Sequence, residues 1–249
     1  MGRVIFIGAG PGAADLITVR GAQRLASAEV VLFDALTDPA LRMHAPRARW
    51  IDVGKRGFAR ATAQARIDAL LVQLAQEHAV VVRLKGGDPS IFGRLEEELL
   101  ALRAAGIDSE VVPGVTAALA AAAGAQRPLT RRGRGRSVSL TTAVTHDGAL
   151  RGSQRADTEV FYMAGRQLAS LGRRLQAGGW AADAPVCVVS RAGWNDELRS
   201  DHALHDLGHA ALVHGGRPTV VTVGVGALAL PGVAPAHKTL LLEKAQASV

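Results

Sequence analysis

The sequence predicts an α/β fold in two domains with a cleft between them. Strand-length apolar runs alternate with segments of helical periodicity, the runs break into glycine-rich loops, and one arginine–glycine stretch interrupts the pattern in mid-chain. With 249 residues, 48% of them hydrophobic, both domains have enough material for a core. That apolar fraction excludes a chain too polar to offset its ordering entropy.

The elements follow in order. Runs 4–8, 29–34, 80–84 and 110–112 read as strands, with helical segments at 17–25, 64–78 and 95–105. In 64–78, Ile67, Leu70, Leu71, Leu74 and Ala75 recur at three and four, making one apolar stripe. The stretch 130–136 carries four arginines and two glycines and cannot form a core element, so the domains are expected at 1–132 and 133–249. Beyond it, 137–142, 159–163, 186–190 and 219–223 read as strands, and 168–175 and 204–212 as helices.

Net charge is +7, almost all from arginine, since the only lysines are Lys55, Lys85, Lys238 and Lys244. A basic surplus favours an anionic partner, and the planar guanidinium suits carboxylate or phosphate. The arginine-rich stretch has no RNA-binding signature or stacking aromatic series beside it, so no nucleic-acid partner is expected. A single cysteine, Cys187, excludes an internal disulfide or a thiol metal cluster. His202, His205 and His209 lie three and four apart on a predicted helix, but no second ligand cluster accompanies them, and no metal is expected. The longest apolar stretch, 111–123, is broken by Pro113, Gly114 and Thr116 and is too short to cross a bilayer. The N-terminus runs directly into a strand without signal-peptide architecture. These features predict a cytoplasmic protein without a membrane partner.

Three loops carry chemistry. Gly8-Ala9-Gly10-Pro11-Gly12-Ala13 satisfies G-x-G-x-x-A, and Asp34 ends the second strand where a ribose-binding carboxylate belongs. A nicotinamide dinucleotide is therefore one reading. Against it, Pro11 has no N–H in a loop whose value to a pyrophosphate is its backbone donors, and the helix begins late, near 15–18. In Lys85-Gly86-Gly87-Asp88-Pro89-Ser90-Ile91-Phe92-Gly93-Arg94, paired glycines admit another molecule close to the backbone and Asp88 offers an acceptor. On residue types alone the alternative is an ordinary strand-to-helix turn with Asp88 near the helix start. In Val111-Val112-Pro113-Gly114-Val115-Thr116, Thr116 reads either as a helix cap or as a ligand contact.

Taken together, the chain resembles the uroporphyrinogen-III C-methyltransferase family of tetrapyrrole methylases. The resemblance rests on Gly8-Ala9-Gly10-Pro11-Gly12, Leu32-Phe33-Asp34, Val53-Gly54-Lys55-Arg56 and Val82-Arg83-Leu84-Lys85-Gly86-Gly87-Asp88-Pro89. It continues through Phe92-Gly93-Arg94, Val111-Val112-Pro113-Gly114-Val115-Thr116, Pro128-Leu129-Thr130 and Phe161-Tyr162-Met163. The resemblance implies transfer of two methyl groups from S-adenosylmethionine to uroporphyrinogen III, giving precorrin-2 and S-adenosylhomocysteine, in sirohaem or cobalamin biosynthesis. It further implies two α/β domains with the cofactor in the cleft between them, and a homodimer. Carried over residue by residue, the cofactor contacts fall on Pro11, Gly86, Gly87, Asp88, Ile91, Thr116, Ala117, Met163 and Ala192. The family's proton acceptor falls on Asp34 and its proton donor on Lys55, with one residue fewer between them than usual. An anionic tetrapyrrole with eight carboxylates asks for arginines, and Arg56, Arg94, Arg131 and Arg132 are the substrate-binding candidates.

The sequence departs from the family at Ala35, where Arg is usual, at Arg60 and Arg131, where His is usual, and at Ser90, where an aromatic is usual. Leu95-Glu96 replaces paired glycines, and Thr145-His146 sits two places late. These changes touch the substrate side more than the donor loops, so a methylase of a later corrin precursor is the alternative. Gly54-Lys55-Arg56 and Lys85-Gly86-Gly87 favour uroporphyrinogen III.

Overall fold

Alternating apolar runs and helices build two sheets, each with its own core. The computed structural model describes residues 2–54, 64–143 and 156–231. It divides into two compact units, Met1–Ala117 and Ala118–Val249.

In the first unit β1 (Arg3–Gly8), β2 (Val30–Phe33), β3 (Arg49–Asp52), β4 (Val80–Lys85) and β5 (Asp108–Val112) are all parallel, in the order β3-β2-β4-β1-β5. The helices are α1 (Val19–Leu25), α2 (Gln64–Glu77) and α3 (Leu95–Ala104). Thr18 caps α1 by accepting the Gly21 amide at 3.0 Å, which places the helix start where the sequence suggested. One sheet face packs Ile5, Ile7, Val31, Val82 and Leu84 against Leu25 of α1 and Leu41. The other packs Val4, Phe6, Val30, Leu32 and Val81 against Ile67, Leu71, Leu74 and Ala75 of α2 and Leu102 of α3. Burial on both faces is why β1 and β4 are nearly continuous apolar runs. Each such large aliphatic side chain stabilises the fold by roughly 1.5–3 kcal/mol.

Chain direction makes a site here. The segments after β1 and β2 cross the α1 face, whereas those after β3 and β4 cross the opposite face. On either side of β4, neighbouring strands therefore send their following segments to opposite faces, which opens a crevice at the C-terminal edge.

The second unit has β6 (Val138–Thr142), β7 (Thr158–Tyr162), β8 (Pro185–Ser190), β9 (Leu198–Ala203) and β10 (Thr219–Gly224), in the order β6-β7-β10-β8-β9. Only the β6–β7 pairing is parallel. Its helices are α4 (Ala117–Gly124), α5 (Leu168–Ala177) and α6 (Ala211–His214). Leu168, Leu171 and Leu175 of α5 join Phe161, Val186, Val188, Val221 and Val223 in the core. Among the described residues no helix is long and apolar enough to cross a membrane.

Three expectations are corrected. The unit boundary lies at Ala117–Ala118 and not in 130–136. The intervening residues are tied into the second unit: Arg127 grips Asp201 at 2.5 and 2.6 Å and the Ala227 carbonyl at 2.7 Å, and Thr158 Oγ1 donates to the Leu129 carbonyl. Strands β3 and β9, both sheet edges, were not read from the sequence. His202 lies on β9, and 204–210 is a 3-10 helix, so the three histidines do not share one helix face.

Candidate functional site

Because the first sheet is parallel, every loop that follows a strand leaves from one edge. The first glycine loop and the β4 loop are joined there by an antiparallel bridge: the Gly87 amide donates to the Gly10 carbonyl at 2.7 Å, and the Gly10 amide to the Gly87 carbonyl at 3.3 Å. The β5 loop closes on both. A Cβ on Gly8 would stand 2.5 Å from Gly114 Cα, and one on Gly114 would stand 2.3 Å from the Gly87 carbonyl oxygen. Only residues without a side chain let the three backbones approach so closely. Asp88 stitches the arrangement, its Oδ2 accepting from the Gly114 amide at 2.9 Å and its Oδ1 from Ser90 at 2.8 Å. Gly87 has φ +71, and a Cβ there would meet only Thr116 Cα and the Val115 carbonyl oxygen, at 3.9 and 4.0 Å. The surface at Gly87 is thus bare backbone. Thr116, buried, stands directly before α4.

Beneath this surface lies a chain of four charges. Asp34, just past β2, accepts from Arg83 Nη2 at 2.6 Å; Arg83 Nε donates to Glu98 Oε1 at 3.0 Å, and Lys85 Nζ to Glu98 Oε2 at 2.6 Å. The Glu98 side chain is 0% exposed and Arg83 and Lys85 3% each, whereas Asp34 is 32% exposed. Strand alternation aims Arg83 and Lys85 at the α3 face, and Glu98 comes from the first turn of that helix. Burial pulls the Arg83 guanidinium pKa down, but the charges of Asp34 and Glu98 outweigh it and the net direction is up. Lys85 moves the other way, lowered first by burial and then by its neighbour Arg83.

In the second unit, β7 and β8 run the same way, so the residues that follow them share a sheet edge. Those residues are strained. Met163 has φ 58 and is 48% exposed, and Arg191, beside the buried Ala192, has φ 53. Positive φ in residues with a Cβ is uncommon and concentrates at binding sites. Arg191 is pinned by Asp196 at 2.6 Å and stacks over Trp194 at 4.2 Å.

The profile of the tetrapyrrole (corrin/porphyrin) methylases matches residues 3–208. This chain belongs to that family. It is 42% identical over 231 residues to a uroporphyrinogen-III C-methyltransferase of Pseudomonas aeruginosa, spanning 90% of this chain and 93% of the relative. The crystal structure of uroporphyrin-III C-methyltransferase from Thermus thermophilus complexed with S-adenosylhomocysteine superposes with TM-score 0.78 at 35% identity, over 90% of this chain and 97% of that one. A cobalt precorrin-4 methyltransferase superposes with TM-score 0.80 at 29% identity, over 91% and 96%.

Family membership replaces the dinucleotide reading of the first loop, and the geometry agrees. The Ala9 amide is spent on the Lys85 carbonyl at 2.8 Å, that of Gly10 on Gly87, and Pro11 has none. Little remains to bind a pyrophosphate.

The structure brings Pro11, Gly86, Gly87, Asp88, Ile91 and Thr116 to the loops at one edge of the first sheet, with Asp34 at the same edge. Met163 and Ala192 lie on the second unit. Lys55, Arg56 and Arg60 lie outside the described residues. Arg94 is held bidentately by Glu97 at 2.8 and 2.6 Å, and Arg131 donates to the Leu228 carbonyl, so each guanidinium already has an intramolecular partner. Arg132 is exposed.

Sequence reasoning assigned no role to Arg83, Lys85 or Glu98. The signal was present: two cations at alternate positions of a strand apolar on both faces need a buried anion. Of Glu96, Glu97 and Glu98, the last falls on the stripe of Leu95, Leu99 and Leu102.

Proposed function

We propose that this protein transfers two methyl groups from S-adenosylmethionine to pyrrole carbons of uroporphyrinogen III, giving precorrin-2. The observation that carries the reading is the pairing of a bare-backbone surface, built by three glycine-lined loops, with a partly exposed carboxylate at the same sheet edge. When bound, S-adenosylmethionine supplies a sulfonium-activated methyl for in-line attack by an electron-rich carbon. Pro11, Gly86, Gly87, Asp88, Ile91, Thr116, Ala117, Met163 and Ala192 are the proposed cofactor contacts, with backbone groups of the glycine-rich turns for its polar ends and Ile91 and Met163 for its apolar surface. Positioning of this kind is the protein's main task in such a transfer. Asp34 stabilises positive charge on the ring and takes up the departing proton, with Arg83 fixing its orientation. Lys55 is assigned as the proton donor, and Arg56 and Arg132 as partners of substrate carboxylates. The protein works as a cytoplasmic homodimer.

Incubation with enzymatically made uroporphyrinogen III and isotope-labelled donor, followed by mass analysis, tests this. Two labelled methyl groups are expected in the product. A macrocycle left unlabelled, beside turnover of a later corrin precursor, would favour the second reading, which draws on the likeness to cobalt precorrin-4 methyltransferase.

A further inference from the structure

We propose that Glu98 is a positioning residue for the proton acceptor: it fixes Arg83 so that the guanidinium grips Asp34. The inference rests on the reading of Asp34 given above. Its ground is the geometry of the fork. Arg83 reaches Asp34 with Nη2 and Glu98 with Nε, so the two carboxylates take two different N–H groups of one planar cation. A planar guanidinium held at one N–H has its remaining donors fixed in direction. Glu98 is in turn immobilised by Lys85 on its other oxygen and by complete burial, and Gln64 Nε2 donates to its Oε1 at 3.3 Å. Orientation therefore passes from α3 through Arg83 to the one member of the chain that solvent reaches.

A mere counter-ion would behave differently. Among the described residues, Asp34 is tied electrostatically to Arg83 and Lys85 on β4, with Glu98 of α3 between those two cations. Positioning depends on the oxygen that accepts from Arg83 Nε, whereas a counter-ion role depends on the charge, and substitutions at Glu98 separate the two.

The test is nitrogen-15 NMR of the guanidinium groups, with Arg83→Lys used to identify the Arg83 signals, and turnover is measured beside it. Glu98→Asp keeps the charge but shortens the reach. It is expected to speed hydrogen exchange at the Arg83 Nε–H and to lower turnover at saturating substrate by up to about 100-fold, as for small misplacements of a catalytic group, with S-adenosylhomocysteine affinity unchanged. Glu98→Gln keeps the accepting oxygen without the charge and is expected to lose less of both than Glu98→Asp. Exchange as slow as wild type in Glu98→Asp overturns the proposal, as does Glu98→Gln losing as much as Glu98→Asp; if one variant does not fold, the other decides. Wild-type protein that leaves uroporphyrinogen III unmethylated while the exchange difference appears would instead overturn the functional reading alone.

Discussion

Each unit buries a polar chain, and the two chains are built on opposite principles. In the first unit the chain is ionic: Asp34, Arg83, Glu98 and Lys85 alternate in sign and balance. In the second it is neutral at its centre. His214, fully buried, bonds Ser190 Oγ through Nδ1 at 2.9 Å and Ser200 Oγ through Nε2 at 2.8 Å; Ser200 also bonds His202 at 2.7 Å, and Arg217 Nε donates to Ser190 at 3.0 Å. A neutral imidazole satisfies this chain with one nitrogen donating and the other accepting. Burial, with His202 and Arg217 nearby, lowers its pKa to about 4. The ionic chain ends in a partly exposed carboxylate at a loop-lined edge, whereas both hydroxyls of the neutral one are buried. Of these two chains, only the ionic one runs out to an acidic end group that solvent reaches at a loop-lined edge.

The contrast can be broken at four places. Asp34→Asn is expected to lower turnover by about 100-fold or more, the loss typical of a missing general base, while calorimetric affinity for S-adenosylhomocysteine stays level; wild-type turnover would remove Asp34 from the mechanism. Arg83→Met leaves Glu98 and Lys85 buried without their third partner and should cost about 3–5 kcal/mol in urea unfolding. His214 offers the pH test. The unfolded chain protonates it near 6.5 and the folded one only near 4, so its contribution is complete above 6.5 and declines as pH falls toward 4. Over that window wild type should lose about 3 kcal/mol that His214→Asn does not lose, and parallel stability curves would contradict this. The smallest effect belongs to Arg94→Ala: its pair with Glu97 is exposed, and the urea midpoint should not move.

Much of the architecture was legible because buried parallel strands are written as plain apolar runs. What escaped were edges. Arg49-Trp50-Ile51-Asp52 and Leu198 to Ala203 each pair on one side only, need no continuous apolar stretch, and carry charged residues instead. The boundary was misplaced for a related reason. Residues 130–136 look like a linker from composition, yet Arg127 and Arg131 are fastened by bonds to residues about 70 to 100 positions away, which no local pattern encodes. At the site, the glycine loops announced themselves, since close backbone approach admits few residue types. Glu98 did not, because three consecutive glutamates differ only in the helix face they occupy.

β4 is the middle strand of five, and it carries both Arg83 and Lys85 together with the loop that follows them. A central strand does not fray; its amides open only when the whole sheet does. Heat inactivation should accordingly coincide with melting of the first unit and not precede it.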